Sequence, residues 1–153
     1  MNIMKPIIIF VFVLFYINAH AQVKEIEISV DGFTCSLCAK GVEGQFKALD
    51  FVSSVRTNLE AASFNLVFKS GKQIKINKIR SAVDDGGFTV GNVSIDASGT
   101  IIKSGANYIL QTGNSPDLKL VNVNDEFNDG DKVTIKGSVN SSYSVSVNSI
   151  RKL

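Results

Sequence analysis

The sequence holds no tryptophan, one histidine, two methionines, two prolines and two cysteines in 153 residues. Position sharpens the scarcity. His20, Met1 and Met4 all fall in a stretch that reads as a leader: Lys5 gives a positive start, Ile7 to Ile17 is an unbroken apolar run, and Ala19-His20-Ala21 puts small residues around a cleavage point. The run is shorter than the roughly 20 apolar residues that span a bilayer. Residues 1–21 are therefore expected to be a cleaved signal peptide, with a mature chain that begins near Gln22, has no membrane span, and works in the periplasm or outside the cell. No cysteine stands at the cut, so a lipid anchor is not indicated. Without the leader the chain has no imidazole and no thioether, and its only soft donors are Cys35 and Cys38.

An excess of one charge is also missing. Lys and Arg number 16 against 14 Asp and Glu over the whole chain, and no basic tract interrupts the balance. A nucleic-acid surface has no electrostatic support, and neither does a polybasic membrane patch.

What is present divides by period. Ile26, Ile28 and Val30 alternate with polar residues, as in a half-buried strand. From Ser36 the spacing changes: Cys38, Val42, Phe46 and Leu49 form the stripe of an amphipathic helix reaching Leu49, weakened locally by Gly41 and Gly44. Residues 52–58 and 63–68 read as strands. Ile76, Ile79 and Val83 keep helical spacing until Asp85-Gly86-Gly87 ends the helix, and residues 88–93 close as a strand. The order βαββαβ over 22–95 describes an α+β unit, an open sheet with both helices on one face.

Residues 96–153 read as all-β. Short apolar runs at 101–102, 108–110, 118–121, 133–135 and 143–147 are separated by turn-forming clusters. Five short strands suggest a small barrel, faintly similar to OB-fold domains. Under about 60 residues is near the lower limit for an independent core, so this unit is expected to lean on the first. Its acidic cluster, Asp125, Glu126, Asp129 and Asp131, lacks EF-hand spacing and reads as a solvated turn. Phe46, Phe64, Phe68, Tyr108 and Tyr143 read as core.

The chemistry lies in Cys35-Ser36-Leu37-Cys38, where a strand gives way to a helix. Unpaired N–H groups at a helix start favour negative charge, an effect expected to act most directly on Cys38. Two thiolates with no further soft ligand suit Cu(I), whereas structural Zn(II) usually takes four ligands. A thioredoxin-like role lacks its flanking tryptophan, and Pro116 is far away. A disulfide formed on export stays open as an alternative.

Gly32-Phe33-Thr34-Cys35-Ser36-Leu37-Cys38 resembles the Gly-Met-Thr-Cys-x-x-Cys loop of the heavy-metal-associated domain, the family of copper chaperones, of modules on copper-pumping ATPases and of periplasmic mercury-binding proteins. The likeness continues through Val42, Glu43, Phe46, Leu49, Val52 and Val55, and through Ile79, Ala82, Val83, Gly87 and Phe88, covering residues 23–95. It implies a ferredoxin-like fold with Cys35 and Cys38 as the metal ligands. Phe33 takes the place of an inward-packing methionine, and Phe88 lies beside the loop. Thr34 resembles the Cu(I) and Hg(II) members, since zinc-exporting relatives often carry Asp there.

The expected function is an exported Cu(I) carrier that exchanges metal with a donor or acceptor protein and is not an enzyme, with Hg(II) and Ag(I) as other candidate ions. The alternative is a structural or interaction protein with an oxidised Cys35–Cys38 pair and a barrel that docks a partner.

Overall fold

A computed structural model describes residues 20–32, 34–141 and 143–153. Residues 1–19, most of the expected signal peptide, lie outside the described residues, as do Phe33 and Ser142. The first unit is built from β1 (Gln22–Asp31), α1 (Ser36–Lys47), β2 (Val52–Asn58), β3 (Ser63–Phe68), α2 (Ile76–Asp84) and the start of β4 (Thr89–Ser104). These strands stand side by side in the order β2-β3-β1-β4 with every neighbour antiparallel. This is the βαββαβ ferredoxin-like arrangement.

Apolar alternation dictates which face is covered. Ile26, Ile28 and Val30 of β1 and Leu66 of β3 are buried, as are Val42 and Phe46 of α1 and Ile79 and Val83 of α2. Phe46 and Phe64 meet edge to face, with ring centroids 5.3 Å apart. The other face is polar: Glu25 and Glu27 of β1 pair in register with Asp96 and Ser94 of β4.

The expected stop after residue 93 does not occur. β4 runs on through 95–99 to Ser104 and becomes the first strand of the second unit. With β5 (Asn107–Gln111), β6 (Leu118–Val121), β7 (Lys132–Ser141) and β8 (Ser144–Lys152) it closes a five-stranded barrel. The closing order is β4-β5-β6-β8-β7-β4, and β6–β8 is its parallel pair. The residues around the expected joint serve two partners at once. Gln22–Asp31 pairs with one edge of β4, while Ser94–Thr100 pairs with β7 on the other. Gly99 makes the change of direction feasible, because a Cβ there would collide with the Gln111 carbonyl and the Leu110 side chain.

One apolar cluster runs through both units, from Val23 to Val145. Polar links reinforce it at the base of the first unit. Buried Asn114, in the β5–β6 loop, accepts the Val23 N–H on Oδ1 at 2.7 Å and donates from Nδ2 to the Val23 carbonyl at 3.0 Å. Its own carbonyl accepts the Ile74 N–H at 2.7 Å. Arg80 of α2 donates to the Val139 carbonyl at 3.1 Å. The small barrel thus shares a strand and a core with its neighbour, which relieves its shortage of buried surface.

Candidate metal centre

The loop between β1 and α1 leaves the sheet through Gly32, whose φ of +98° favours glycine over any side-chain-bearing residue. A Cβ at Gly32 would stand 3.9 Å from Cδ1 of Phe88, so Phe88 lies beside this loop. Cys35 is the last extended residue, with φ −130° and ψ 150°, and it caps α1. Its sulfur accepts the Cys38 N–H at 3.2 Å, and its carbonyl accepts the Ala39 N–H at 3.2 Å. One of the four N–H groups left open at a helix start is thereby satisfied by sulfur. In the oxidised pair the helix-start N–H of Cys38 reaches the sulfur of Cys35 rather than its own.

Cys35 and Cys38 are brought together as a disulfide, with Cα atoms 5.3 Å apart. Cys35 is exposed and Cys38 is half-buried under the first helical turn. Among the described residues no group of three or more His, Cys, Asp or Glu side chains is placed to hold a metal. The site therefore consists of two sulfurs on an exposed corner. In the oxidised form both sulfurs are committed to each other; reduction frees two donors.

Other candidates resolve into structure. Asp131 pairs with Lys152 at 2.8 Å and accepts the Asn128 N–H at 2.9 Å, while Asp129 accepts the Lys103 N–H at 2.9 Å. Lys152, and then the Asn128 amide, hold the Asp131 carboxyl below its ordinary value. These members of the acidic cluster secure a turn. Phe46 and Phe64 are buried, and Phe68, Tyr108 and Tyr143 pack partly buried against the core. A cleft of about 330 Å³ lies between the polar sheet face and the barrel, lined by Glu25, Glu27, Ser94, Asp96, Lys136 and Asn148 among others. It includes neither cysteine.

Residues 27–89 match the model of the heavy-metal-associated domain. The copper chaperone CopZ of Bacillus subtilis (strain 168) is 36% identical over 63 residues, which span 41% of this chain and 90% of that protein. The chain belongs to the heavy-metal-associated domain family. A second relative, the copper chaperone CopZ of Staphylococcus aureus (strain bovine RF122 / ET3-1), is 27% identical over 63 residues, 41% of this chain and 91% of its own. Among solved structures, a CopZ metallochaperone aligns with a TM-score of 0.41 at 25% identity, covering 44% of this chain and 98% of the other. Oxidised MerP from Ralstonia metallidurans CH34 aligns with a TM-score of 0.41 at 26% identity, covering 45% and 94%.

Within the family's fold the sequence reading placed Cys35, Cys38 and Phe88 at one corner. It missed the exposure of Leu37, which stands 76% accessible between the two cysteines. It also missed the Asn114 clamp, whose partner Val23 is 91 residues away. No local pattern marks that asparagine, because turn-forming residues surround it in any case.

Proposed function

We propose that this chain is an exported Cu(I) carrier that holds one ion between the thiolates of Cys35 and Cys38. The observation that carries the reading is the pair itself: two sulfurs converging at the exposed start of α1, with no third soft ligand in reach among the described residues. Copper-chaperone relatives across the same residues support it. Cu(I) accepts low coordination and prefers sulfur, whereas Zn(II) would have to recruit oxygen or water.

Loading begins with reduction. Two equivalents of an external thiol convert the disulfide to two thiols and are themselves joined as a disulfide. Cu(I) then displaces both protons. With Cys35 exposed, an incoming thiolate or thioether reaches the metal from the open side, so the ion passes between proteins without being released to water. Export follows in this reading from the leader, with processing before Gln22. The barrel is OB-like, supported by its strand order and by the parallel pairing of its third and fifth strands.

The test is a chelator competition on reduced protein. One Cu(I) per chain is expected, with tight binding lost in Cys35→Ser and in Cys38→Ser. A double variant that still held Cu(I) would defeat the assignment. The disulfide favours a second reading, in which the oxidised pair is structural and the barrel docks a partner. Alkylation followed by mass spectrometry separates the two: copper-loaded protein should resist labelling at both cysteines, and equal labelling of apo and loaded samples would favour the second.

A further inference from the structure

Charge that balances over the whole chain does not balance along it. Residues 69–80 hold Lys69, Lys72, Lys75, Lys78 and Arg80 and no carboxylate, an excess that the overall count conceals. The expectation of no basic patch, read from the overall balance, is corrected by this run and by the way it folds. Lys69 follows β3, Lys72 follows the turn at Gly71, and Lys75 and Lys78 open α2. All lie at the end of the first unit away from the cysteines. Arg80 turns inward instead, to the Val139 carbonyl.

Topology adds to the run. α1 finishes on Lys47 at the same end, where the α1–β2 loop meets the β3–α2 loop. Lys69 donates from Nζ to the Asp50 carbonyl at 3.1 Å, and Lys72 pairs with the Asp50 carboxylate at 3.7 Å. Lys47, Lys69, Lys72, Lys75 and Lys78 are all exposed. Against them stand Asp50, engaged by Lys72, and Glu43, engaged by Lys47. The β5–β6 loop, which touches Ile74 through Asn114, adds one charge of each sign with Asp117 and Lys119. Lys75 and Lys78 make no ion pair among the described residues. These two also oppose their own helix: α2 starts on Lys75 without a side-chain cap and has no acid in its first turn. Cations at a helix start act against its dipole, so stability does not account for them.

The chemistry of this face selects its partner. Single-stranded nucleic acid stacks on exposed aromatic rings, but Phe51 is buried here and Phe68 packs against the core. A specific protein interface centres on apolar or aromatic anchors. The exposed leucines are elsewhere: Leu37 and Leu59 at the opposite end, and Leu153 on the barrel beside Lys132. A layer of anionic headgroups requires neither feature, because its mobile charges settle around flexible lysines.

We infer that this lysine face rests on an anionic lipid surface, at headgroup depth and without insertion. α1 runs for 12 residues from the cysteine end to Lys47, about 18 Å of helix. A chain docked through the lysines therefore holds Cys35 and Cys38 away from the bilayer and open to solvent. The inference does not depend on what the cysteines bind.

The chain from Gln22 onward carries every element of the fold and omits the apolar run at 7–17, which would bind lipid by itself. Its sedimentation with vesicles of equal phosphatidylglycerol and phosphatidylcholine is compared with that on phosphatidylcholine alone. At about 0.05 M salt the anionic vesicles should bind at least about a hundredfold more tightly, and at about 1 M salt the difference should vanish. Lys69→Gln/Lys72→Gln/Lys75→Gln/Lys78→Gln should remove most of that preference, about fivefold for each lysine. Lys40→Gln/Lys103→Gln/Lys136→Gln/Arg151→Gln takes as much charge from α1 and the barrel and should weaken binding less than about tenfold. Lys75→Gln/Lys78→Gln should weaken it about twentyfold with no loss of stability, because these changes relieve the start of α2. That pair keeps the test decisive if the fourfold variant unfolds. Reduced protein on the vesicles should be alkylated at Cys35 as fast as in solution. Equal binding to both vesicle types, binding that survives high salt, or equal losses from the two fourfold variants would overturn the inference. So would slowed alkylation on the vesicles, since it would place the cysteine end against the lipid.

Discussion

Cys35 performs two tasks that draw on the same lone pairs. Its sulfur caps α1 by accepting the Cys38 N–H, and in the proposed carrier the same sulfur, once reduced, would also hold the metal. A hydrogen bond from the helix start favours the charged sulfur, and exposure opens it to reagents. Cys35 should therefore be alkylated several times faster than half-buried Cys38 in reduced apo protein, a difference that timed labelling and peptide mapping would read. The same cap predicts an asymmetry in stability. Cys35→Ser keeps a capping side chain, whereas Cys35→Ala removes it and should cost about 1 kcal/mol more in denaturant unfolding. Both variants should lose Cu(I), so the comparison isolates the cap from the metal. Equal stability would show that the sulfur contributes nothing to the helix.

At the scale of elements, α1 is held to the sheet partly through Glu43. Its carboxylate accepts the Thr57 hydroxyl of β2 at 2.8 Å and pairs with Lys47 one turn on. Lys47, and then Thr57, lower the Glu43 carboxyl below its ordinary value of 4.5. A carboxyl held lower in the folded chain than in the unfolded one stabilises the fold above that ordinary value. The contribution fades as pH falls through the lowered value. Glu43→Gln should accordingly flatten the loss of thermal stability below about pH 4.5 while changing little in its slope at neutral pH. A variant whose acid-side slope matched the native protein would show that the pairing with Lys47 and Thr57 carries no pH-dependent stability. The helix ends differ in kind: α1 begins on a cysteine cap, and α2 finishes on two carboxylates that its own dipole disfavours.

For the whole molecule, the decisive feature is that β4 belongs to both units. In a lone βαββαβ domain its outer edge would be open; here β7 covers it from Ser94 to Thr100. Asn114 then fastens the base of β1 to the barrel by satisfying both backbone groups of Val23. Asn114→Ala should leave those groups buried without partners, at about 1–3 kcal/mol for each. The urea midpoint of the full chain should fall accordingly, while Cu(I) stoichiometry stays at one because the cysteines lie at the other end of β1. An unchanged midpoint would mean that water or local relaxation replaces the clamp.

Much of this was legible from residues alone. The alternation of Ile26, Ile28 and Val30, and the spacing of Val42 and Phe46, determine their elements locally, since side-chain direction repeats with backbone period. Cys35 and Cys38 are three residues apart, so the site needs only one turn of helix to assemble. What the tertiary structure decided is what depends on distant pairing. Residues near 95–99 look like a joint between two units of different pattern, yet strand pairing on both edges keeps that backbone extended. Asn114 gains its role from a strand 91 residues away. Asp31, Glu60, Asp84 and Asp85 lie scattered along a chain of balanced charge, and they share one end of the first unit only because the β1–α1, β2–β3 and α2–β4 loops fall at the same end of the sheet. Composition determined which donors the chain possesses; topology decided which charges surround them.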